Sequence, residues 1–532
     1  MGIPRFNKWI SENYPSCISD KMEKCDGILF DLNGLLHTSA QEYFKLDEKN
    51  TEEEAKSMYE TFLNQEDLSM DRYMEVLVSN IESIIKKTEP IAKKKGPVKD
   101  IYPLSFIIFC IDGVPPLAKI IEQRRRRYDV GFKKDTLNKS LQLTTGTTFM
   151  RMLDVRFRKW VESYSAKNNR TKIIYSGHTI HGEGEHKMFK YLRELNVKLN
   201  NYTCVVGDDA DLILLAAKNQ LCKMSIYVNR TNTFLNTFKL RNMLFDELTS
   251  GVNRSVSYSN VIRDFVLITG LLGNDFIPAL VSTKEVKDSL NIIIQTYSKL
   301  ALNLTNSDGS IIWKNYAIYL RNLSRHESSL LVKRLEYKYK APIFGLNDSL
   351  ENPIYNGRKL SSAKVNMEKF EDLYYQNYYP IYKLDKSSIK KIIMYYFRMV
   401  QWYLFYYEGK VYGDYYYPYI YGPTINTLIK YINDYDPSTL LEEKSEMTNP
   451  LQHLFVFPPE ASSITPYKEI ETTLDNSDDY PLSFPKDFKR DLSGIPFTWK
   501  DDGKAILPPL SELYWIEKYR RLPDIEGNIF RA

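Results

Sequence analysis

No stretch of this 532-residue chain approaches the roughly 18 uninterrupted apolar residues that a membrane-spanning helix requires, so no membrane role is expected. The opening Met1-Gly2-Ile3-Pro4-Arg5-Phe6 lacks the apolar block of a secretory signal, and Phe6 stands where a myristoylation motif wants Ser or Thr. Cysteine is scarce. Cys17, Cys25, Cys110, Cys204 and Cys222 are odd in number, scattered and never spaced as a CxxC pair, which argues against a disulfide framework or a cysteine-built metal site. They read as reduced core thiols, and with no basic cluster marking nuclear import the cytoplasm is the expected location. Internal repeats and long low-complexity tracts are absent too, which excludes solenoids and arrays. A net charge of only +5 decides nothing about a polyanionic partner, because the distribution of charge matters more than its sum.

Hydrophobic residues make up 43% of the chain, enough for two domains or one large body with insertions. Tyrosine stands out at 40 residues, many of them between Tyr395 and Tyr421. Codon bias explains the excess blandly; a surface on which nucleobases stack explains it more sharply. Residues 1–300 alternate short apolar runs with helical stretches, the pattern of an α/β domain with a mainly parallel sheet. Four runs predict buried strands: Gly27–Phe30, Phe106–Ile111, Lys172–Tyr175 and Thr203–Val206. Residues 41–100 are charged and helical in pattern, close with Lys93-Lys94-Lys95-Gly96-Pro97, and read as a surface excursion. Residues 391–532 are rich in aromatics and proline, with a helix expected near Ile392 to Tyr407.

The acids at the ends of the strands carry the chemistry. Asp31 comes directly after the first and Asp112 after the second; Glu183 and Glu185 come after the third, and Asp208, Asp209 and Asp211 after the fourth. The carboxyl ends of parallel strands line one edge of an open sheet, where ligands bind, so these acids should converge. Asp275, in Gly273-Asn274-Asp275-Phe276, comes after a helical run and joins Asp31, Asp112, Glu183, Glu185, Asp209 and Asp211 as a candidate. Carboxylates gathered this way repel and cannot all stay ionised without cations between them. Oxygen ligands with almost no accompanying His or Cys favour Mg²⁺ or Mn²⁺ over Zn²⁺, and two such ions about 3.5–4 Å apart suit in-line displacement at phosphorus. Taken singly, any of these acids is more simply a turn former or helix N-cap, and Gly182-Glu183-Gly184-Glu185 a polar loop. Recurrence after four strands is the feature that favours a site.

Beyond Asp112 the sequence runs Ala118-Lys119-Ile120-Ile121-Glu122-Gln123-Arg124-Arg125-Arg126-Arg127. On a helix, Lys119, Gln123, Arg126 and Arg127 share one face, and guanidinium forks so close to a metal-site acid suit a terminal 5′-phosphate. A solvated arginine run is the commoner fate of such a tetrad in isolation. His37 lies six residues beyond Asp31, where a short helix would present it beside the acids, although a capping or core role is the ordinary one. His178, His181 and His186 flank the glutamate pair and are read as structural or outer-shell residues.

These residues closely resemble the XRN family of 5′→3′ exoribonucleases. The likeness rests on Met1–Phe6, Phe30-Asp31-Leu32-Asn33-Gly34, Ile111–Lys119, Ser176-Gly177-His178, Gly182–Lys187, Asp209–Ile213 and Gly273–Pro278, and on a second region from Gln401-Trp402-Tyr403-Leu404 through Tyr416-Tyr417-Pro418 to Pro458-Pro459. The resemblance implies a PIN/flap-endonuclease-like nuclease domain with a mainly parallel sheet at 1–290, a connecting segment at 291–390, and a mostly helical, aromatic-rich region at 391–532 that closes the channel. It makes the seven acids the ligands of probably two Mg²⁺ or Mn²⁺ ions, and Lys119, Gln123, Arg126 and Arg127 the pocket for the 5′-monophosphate of single-stranded RNA. His37 would stack on the first bases, opposed by an aromatic. The family's tryptophans before Tyr-Tyr-Pro are replaced here by Gly413-Asp414-Tyr415, which makes Tyr415 the stacking candidate. A monomeric minimal form without extra C-terminal domains is expected, acting in RNA decay. The rivals are a flap-type DNA endonuclease and a non-catalytic RNA-binding scaffold.

Overall fold

The computed structural model describes residues 2–3, 5–22, 24–43, 66–88, 104–131, 141–195, 201–251, 256–283, 288–339, 365–378, 386–410, 413–419, 421–440, 445–481, 483–484, 507, 510, 513–525 and 527–532. The four apolar runs form strands β2 (Cys25–Asp31), β3 (Phe106–Cys110), β4 (Lys172–Ser176) and β5 (Tyr202–Val206). Four further strands carry no apolar run of that kind: β1 (Ile18–Ser19), β6 (Lys223–Val228), β7 (Thr233–Asn236) and β8 (Phe530–Arg531). All eight join one sheet in the order β1-β7-β6-β5-β2-β3-β4-β8, parallel from β6 to β4 and antiparallel at both edges.

Side chains alternate across this sheet between two cores. Ile28, Phe30, Ile107 and Phe109 point to one, while Leu29, Phe106, Ile108 and Cys110 point to the other. The chain steps from β2 to β3 to β4 on one side, then returns to lay β5 and β6 on the other. That reversal leaves a crevice at the carboxyl ends of β2 and β5, the position at which open α/β sheets bind ligands.

The excursion expected at 41–100 is corrected where it is described. Helix Glu66–Thr88 packs on helices Leu32–Tyr43 and Thr148–Lys167 and buries Met70, Tyr73, Leu77, Ile81, Ile84 and Ile85 in the core on that face of the sheet, because its apolar residues recur at helical spacing beneath the charges. The basic segment Lys93–Pro97 lies outside the described residues. The tyrosines from 395 to 421 are likewise mostly core: Tyr396, Tyr403, Tyr406, Tyr407, Tyr416, Tyr417, Tyr419 and Tyr421 are buried, so they form no open stacking surface.

The aromatic region does not stand apart from the nuclease region. One hydrophobic core runs through both, from Leu29 and Phe265 to Trp402, Tyr417 and Phe455, and crosses both expected domain boundaries. Helix Asn449–Val456 packs on helix Leu117–Gly131, and β8 pairs with β4. Within the arginine tetrad, Arg124 is fully buried; it donates from Nη1 to Phe455 O at 2.6 Å and from Nη2 to Ser483 O, and lies over the Tyr128 ring. Arg124→Ala would orphan two buried carbonyls and open a cavity, and should cost about 3 kcal/mol or more. Denaturant midpoints would register the loss, with Arg126→Ala, at a half-exposed side chain, close to the parent.

Candidate active site

The two strands that border the crevice place Asp31 at the end of β2 and Asp209 just beyond β5. Glu183 and Asp209 occupy the N-cap positions of helices Gly184–Glu194 and Ala210–Lys218, with Glu185 and Asp211 in the first turns. Neither Glu183 nor Asp209 caps its helix through its side chain, which sets aside the ordinary reading of an acid at that place. Two loops are zipped together, Gly113 N–H to Gly182 O and Gly182 N–H to Val114 O, both at 2.8 Å, so Glu183 is held beside Asp112. Gly184 N–H donates to Asp112 Oδ1 at 2.5 Å, and a Cβ at Gly184 would sit 3.1 Å from Asp31 Oδ1 and 3.3 Å from Asp112 Oδ1. Asn33 completes the clamp by accepting from Asp112 N–H at 3.1 Å and donating to Asp31 Oδ1 at 3.0 Å.

All seven predicted acids therefore belong to one electrostatic cluster. Asp31, Glu183, Glu185, Asp211 and Asp275 are buried, whereas Asp209 opens to solvent. Burial pushes the Asp31 carboxyl well above its usual range, and repulsion from Asp112 and Asp209 adds to it. Glu183 rises to about 7 through burial, with Lys119 opposing. Glu185 rises through burial and the charges of Glu183 and Asp211, and Asp211 rises to about 6 through burial and Asp275. Burial is the largest influence on Asp275 and acts in the same direction, but the attractions of Lys119 and Arg126 are among those that together reverse it, and the net pKa is lowered.

Protein donors occupy many of these oxygens. Tyr406 Oη donates to Glu183 Oε1 at 2.6 Å and lies 2.9 Å from Glu185 Oε1; Tyr407 Oη donates to Asp211 Oδ1 at 2.5 Å. Lys119 Nζ stands 2.7 Å from Asp275 Oδ2 and 3.2 Å from Glu183 Oε2. Among the described residues, no three acid, His or Cys side chains are placed together so as to hold a metal ion. The donor set nonetheless fits hard divalent cations, being almost wholly carboxylate, and the surplus negative charge that lifts four of its pKa values is what such cations relieve.

The cationic wall differs in detail from the sequence expectation. Helix Leu117–Gly131 is present, but only part of its predicted face is open to an anion. Lys119 is turned to the acids; Gln123 is buried, its Oε1 accepting from Gln452 Nε2 at 3.0 Å; and Arg127 donates to Thr144 Oγ1. Arg126 is the exposed member, its side chain 49% accessible and paired with Glu122 at 2.8 Å. His37 is also solvent-exposed, yet burial lowers its pKa to about 4, with Arg127 and Arg126 acting in the same direction. It stands within electrostatic reach of both arginines.

Tyr415 is half-buried. Its ring packs on the core with the Arg398 guanidinium 5.5 Å from its centroid, and among the described residues no ring contact joins it to His37. His178 is buried and His186 partly so, their pKa values lowered to about 4 and about 3 by burial, and His181 pairs with Asp524, in keeping with structural roles. Asn33, Tyr406 and Tyr407 are site residues that the sequence alone does not single out. Their one signal is position: Asn33 two residues after a strand-end acid, and a tyrosine pair closing the helix Lys386–Tyr407.

The raised carboxyls set a pH dependence. Without cations the folded protein holds protons on Asp211 and Glu183 that the unfolded chain, with values of roughly 4, has already released. Their contribution to stability is present at low pH and lost as pH rises through about 6 and about 7. EDTA-treated protein should accordingly melt at lower temperature at pH 8 than at pH 5, and Mg²⁺ should raise Tm more at pH 8. A melting temperature flat in pH and indifferent to Mg²⁺ would contradict the clustering.

Comparison with known proteins agrees with this geometry. A family model described as the XRN 5′-3′ exonuclease N-terminus matches residues 1–229, and one described as the Xrn1 helical domain matches residues 345–524. The human 5′-3′ exoribonuclease 1 is 24% identical, over 97% of this chain and 34% of its own length. The Saccharomyces cerevisiae 5′-3′ exoribonuclease 1 is 24% identical over 62% of the chain and 23% of its own length, and the Drosophila melanogaster 5′-3′ exoribonuclease 2 homolog 22% identical over 96% and 70%. The chain thus spans about a third of the first of these relatives and about a quarter of the second, 34% and 23%. With both models matching in order and the acids assembled as a nuclease site requires, the chain belongs to the XRN family of 5′-3′ exonucleases.

Proposed function

We propose that this protein is a processive 5′→3′ exoribonuclease that hydrolyses 5′-monophosphorylated single-stranded RNA to 5′-mononucleotides and acts in RNA decay. The observation that carries this reading is the adjacency of a seven-carboxylate crevice to a wall bearing His37, Arg126 and Arg127. The names of the relatives, 5′-3′ exoribonucleases, support it. Two Mg²⁺ or Mn²⁺ ions held by the acids would supply Lewis-acid activation at the phosphodiester.

The chain's own residues supply binding and order. Arg126 presents an open guanidinium fork suited to phosphate oxygens. Arg127 has its pKa lowered to about 9 by burial and then by Arg126, so a dianionic phosphate between the two would relieve their repulsion. Lys119 spends two of its three N–H donors on Asp275 and Glu183, which leaves one for an adjacent phosphate. His37, neutral at physiological pH, offers a flat uncharged ring for a base and not a counter-charge. A strand anchored by its 5′-phosphate on this wall would lay its first phosphodiester over the acids, which yields mononucleotides. Five unpaired cysteines, four of them buried, support action in a reducing compartment such as the cytoplasm.

Matched 5′-phosphate, 5′-triphosphate and 5′-hydroxyl RNAs, incubated with Mg²⁺ and then with EDTA, test the reading: only the monophosphate should be degraded rapidly, to mononucleotides, and only with Mg²⁺. Oligonucleotide products from flapped DNA would replace this reading with that of a structure-specific endonuclease. Asp209→Ala should lower hydrolysis by at least a hundredfold while leaving RNA binding largely intact, because it removes a metal ligand and not the cationic wall; activity near the parent level would refute the assignment. Combined Arg126→Ala and Arg127→Ala should reduce the preference for 5′-phosphate over 5′-hydroxyl RNA, and an unchanged preference would discard the pocket.

A further inference from the structure

Gly2 enters the carboxylate crevice. Its backbone N–H donates to Asp275 Oδ1 at 3.0 Å, a buried bond between positions 273 residues apart. Its φ of 56° lies in the left-handed region, which residues with a Cβ adopt at a cost. A Cβ built there would lie 2.6 Å from Asp211 Oδ1 and 3.0 Å from Ala210 Cβ, closer than side chains approach one another. Asp211 cannot swing away freely, because Tyr407 Oη holds the same oxygen at 2.5 Å, and Ala210 begins the helix Ala210–Lys218. The segment behind Gly2 is anchored in turn: Ile3 and Phe6 are buried, and Phe6, which opens helix Phe6–Asn13, stacks on Trp9 and tilts against Phe265.

We propose that Gly2 is a positioning residue for the cation site: its N–H orients Asp275, and its missing side chain leaves the gap in which Asp275 and Asp211 can face one shared cation. The two carboxylates come from different segments, one opening a helix after β5 and the other lying beyond helix Tyr258–Thr269. They repel, since the charge of Asp275 is the largest influence on Asp211 after burial. The peptide N–H of Gly2 is a fixed dipole that reaches Asp275 from a third segment. Like the N–H that Gly184 gives Asp112, it holds one carboxylate oxygen in place and leaves the other for Lys119 or a cation.

The proposal rests on the metal-dependent reading of the site, and its test separates the two. Gly2→Ala should weaken Mn²⁺ binding, read by calorimetry on the whole protein, by about tenfold or more and reduce Mg²⁺-dependent turnover, with a lower melting temperature from the added Cβ, while RNA binding in EDTA stays near the parent. A semisynthetic protein isolates the hydrogen bond: residues 1–16 carrying glycolate in place of Gly2 are ligated at Cys17, which exchanges the N–H for an ester oxygen and adds no Cβ. Weaker Mn²⁺ binding by this ester variant, beside a ligated all-amide control, is the expected result and stands even if Gly2→Ala fails to fold. Parent-level Mn²⁺ affinity in the ester variant would overturn the positioning role of Gly2. Absence of Mn²⁺ binding by the parent would instead overturn the metal-dependent reading.

Discussion

Crowding carboxylates into one crevice is the constraint around which the rest of this molecule is arranged. Like charges a few ångströms apart, mostly withdrawn from water, oppose folding, and the upward shifts at Asp31, Glu183, Glu185 and Asp211 measure that opposition. The fold answers with oriented donors rather than with many countercharges. Helix N-termini meet Glu185 and Asp211, peptide N–H groups meet Asp112 and Asp275, phenol hydroxyls meet Glu183, Glu185 and Asp211, and the ammonium of Lys119 lies against Asp275 and Glu183. Neutral dipoles steady an anion without cancelling its charge. The cluster therefore keeps the surplus negative potential that draws divalent cations, where a set of arginines would have quenched it.

This arrangement explains why the aromatic region is inseparable from the nuclease sheet. Tyr406 and Tyr407 close a helix whose other turns are buried in the shared core, and their hydroxyls are the only polar tips that helix offers the acids among the described residues. Trp402 and Phe276 pack around Tyr406 and set the depth of its hydroxyl. The tyrosine excess of this segment serves burial first and polar contact second. A phenol suits that double duty, having a large apolar body and one donor at its end.

The sheet and the acids are legible in the sequence for the same reason: a parallel strand buried on both faces must be apolar throughout, so a carboxylate at its end is conspicuous. The edge strands β1 and β8, and β7 beside β1, carry no such signal, because two to four residues are too short to show a pattern. Asp31, Asp112, Glu183, Glu185, Asp209, Asp211 and Asp275 can be placed from local context. The placement of Tyr415 cannot, since the direction of its ring depends on Arg398 and on a core assembled from distant segments. The helix Glu66–Thr88 passes for a surface excursion because charge density hides its apolar stripe, although Tyr73, Leu77, Ile81 and Ile84 stand in the sequence at helical spacing.

The arginine tetrad shows how one helix serves cohesion and recognition together. Successive residues on a helix point about a quarter-turn or more apart, so four consecutive arginines cannot share an environment. Arg124 faces inward and fastens the helix to Phe455 and Ser483, while Arg126, two residues on, faces the cleft. Gln123 joins the same interface through Gln452, and Arg127 is braced by Thr144. The cationic wall is thereby as fixed as the core behind it. On the proposed reading, a guanidinium pair on a mobile loop would have to be ordered by each incoming phosphate, whereas one carried by a helix locked in the interior would meet it already ordered, and less of the binding energy would be lost to that ordering.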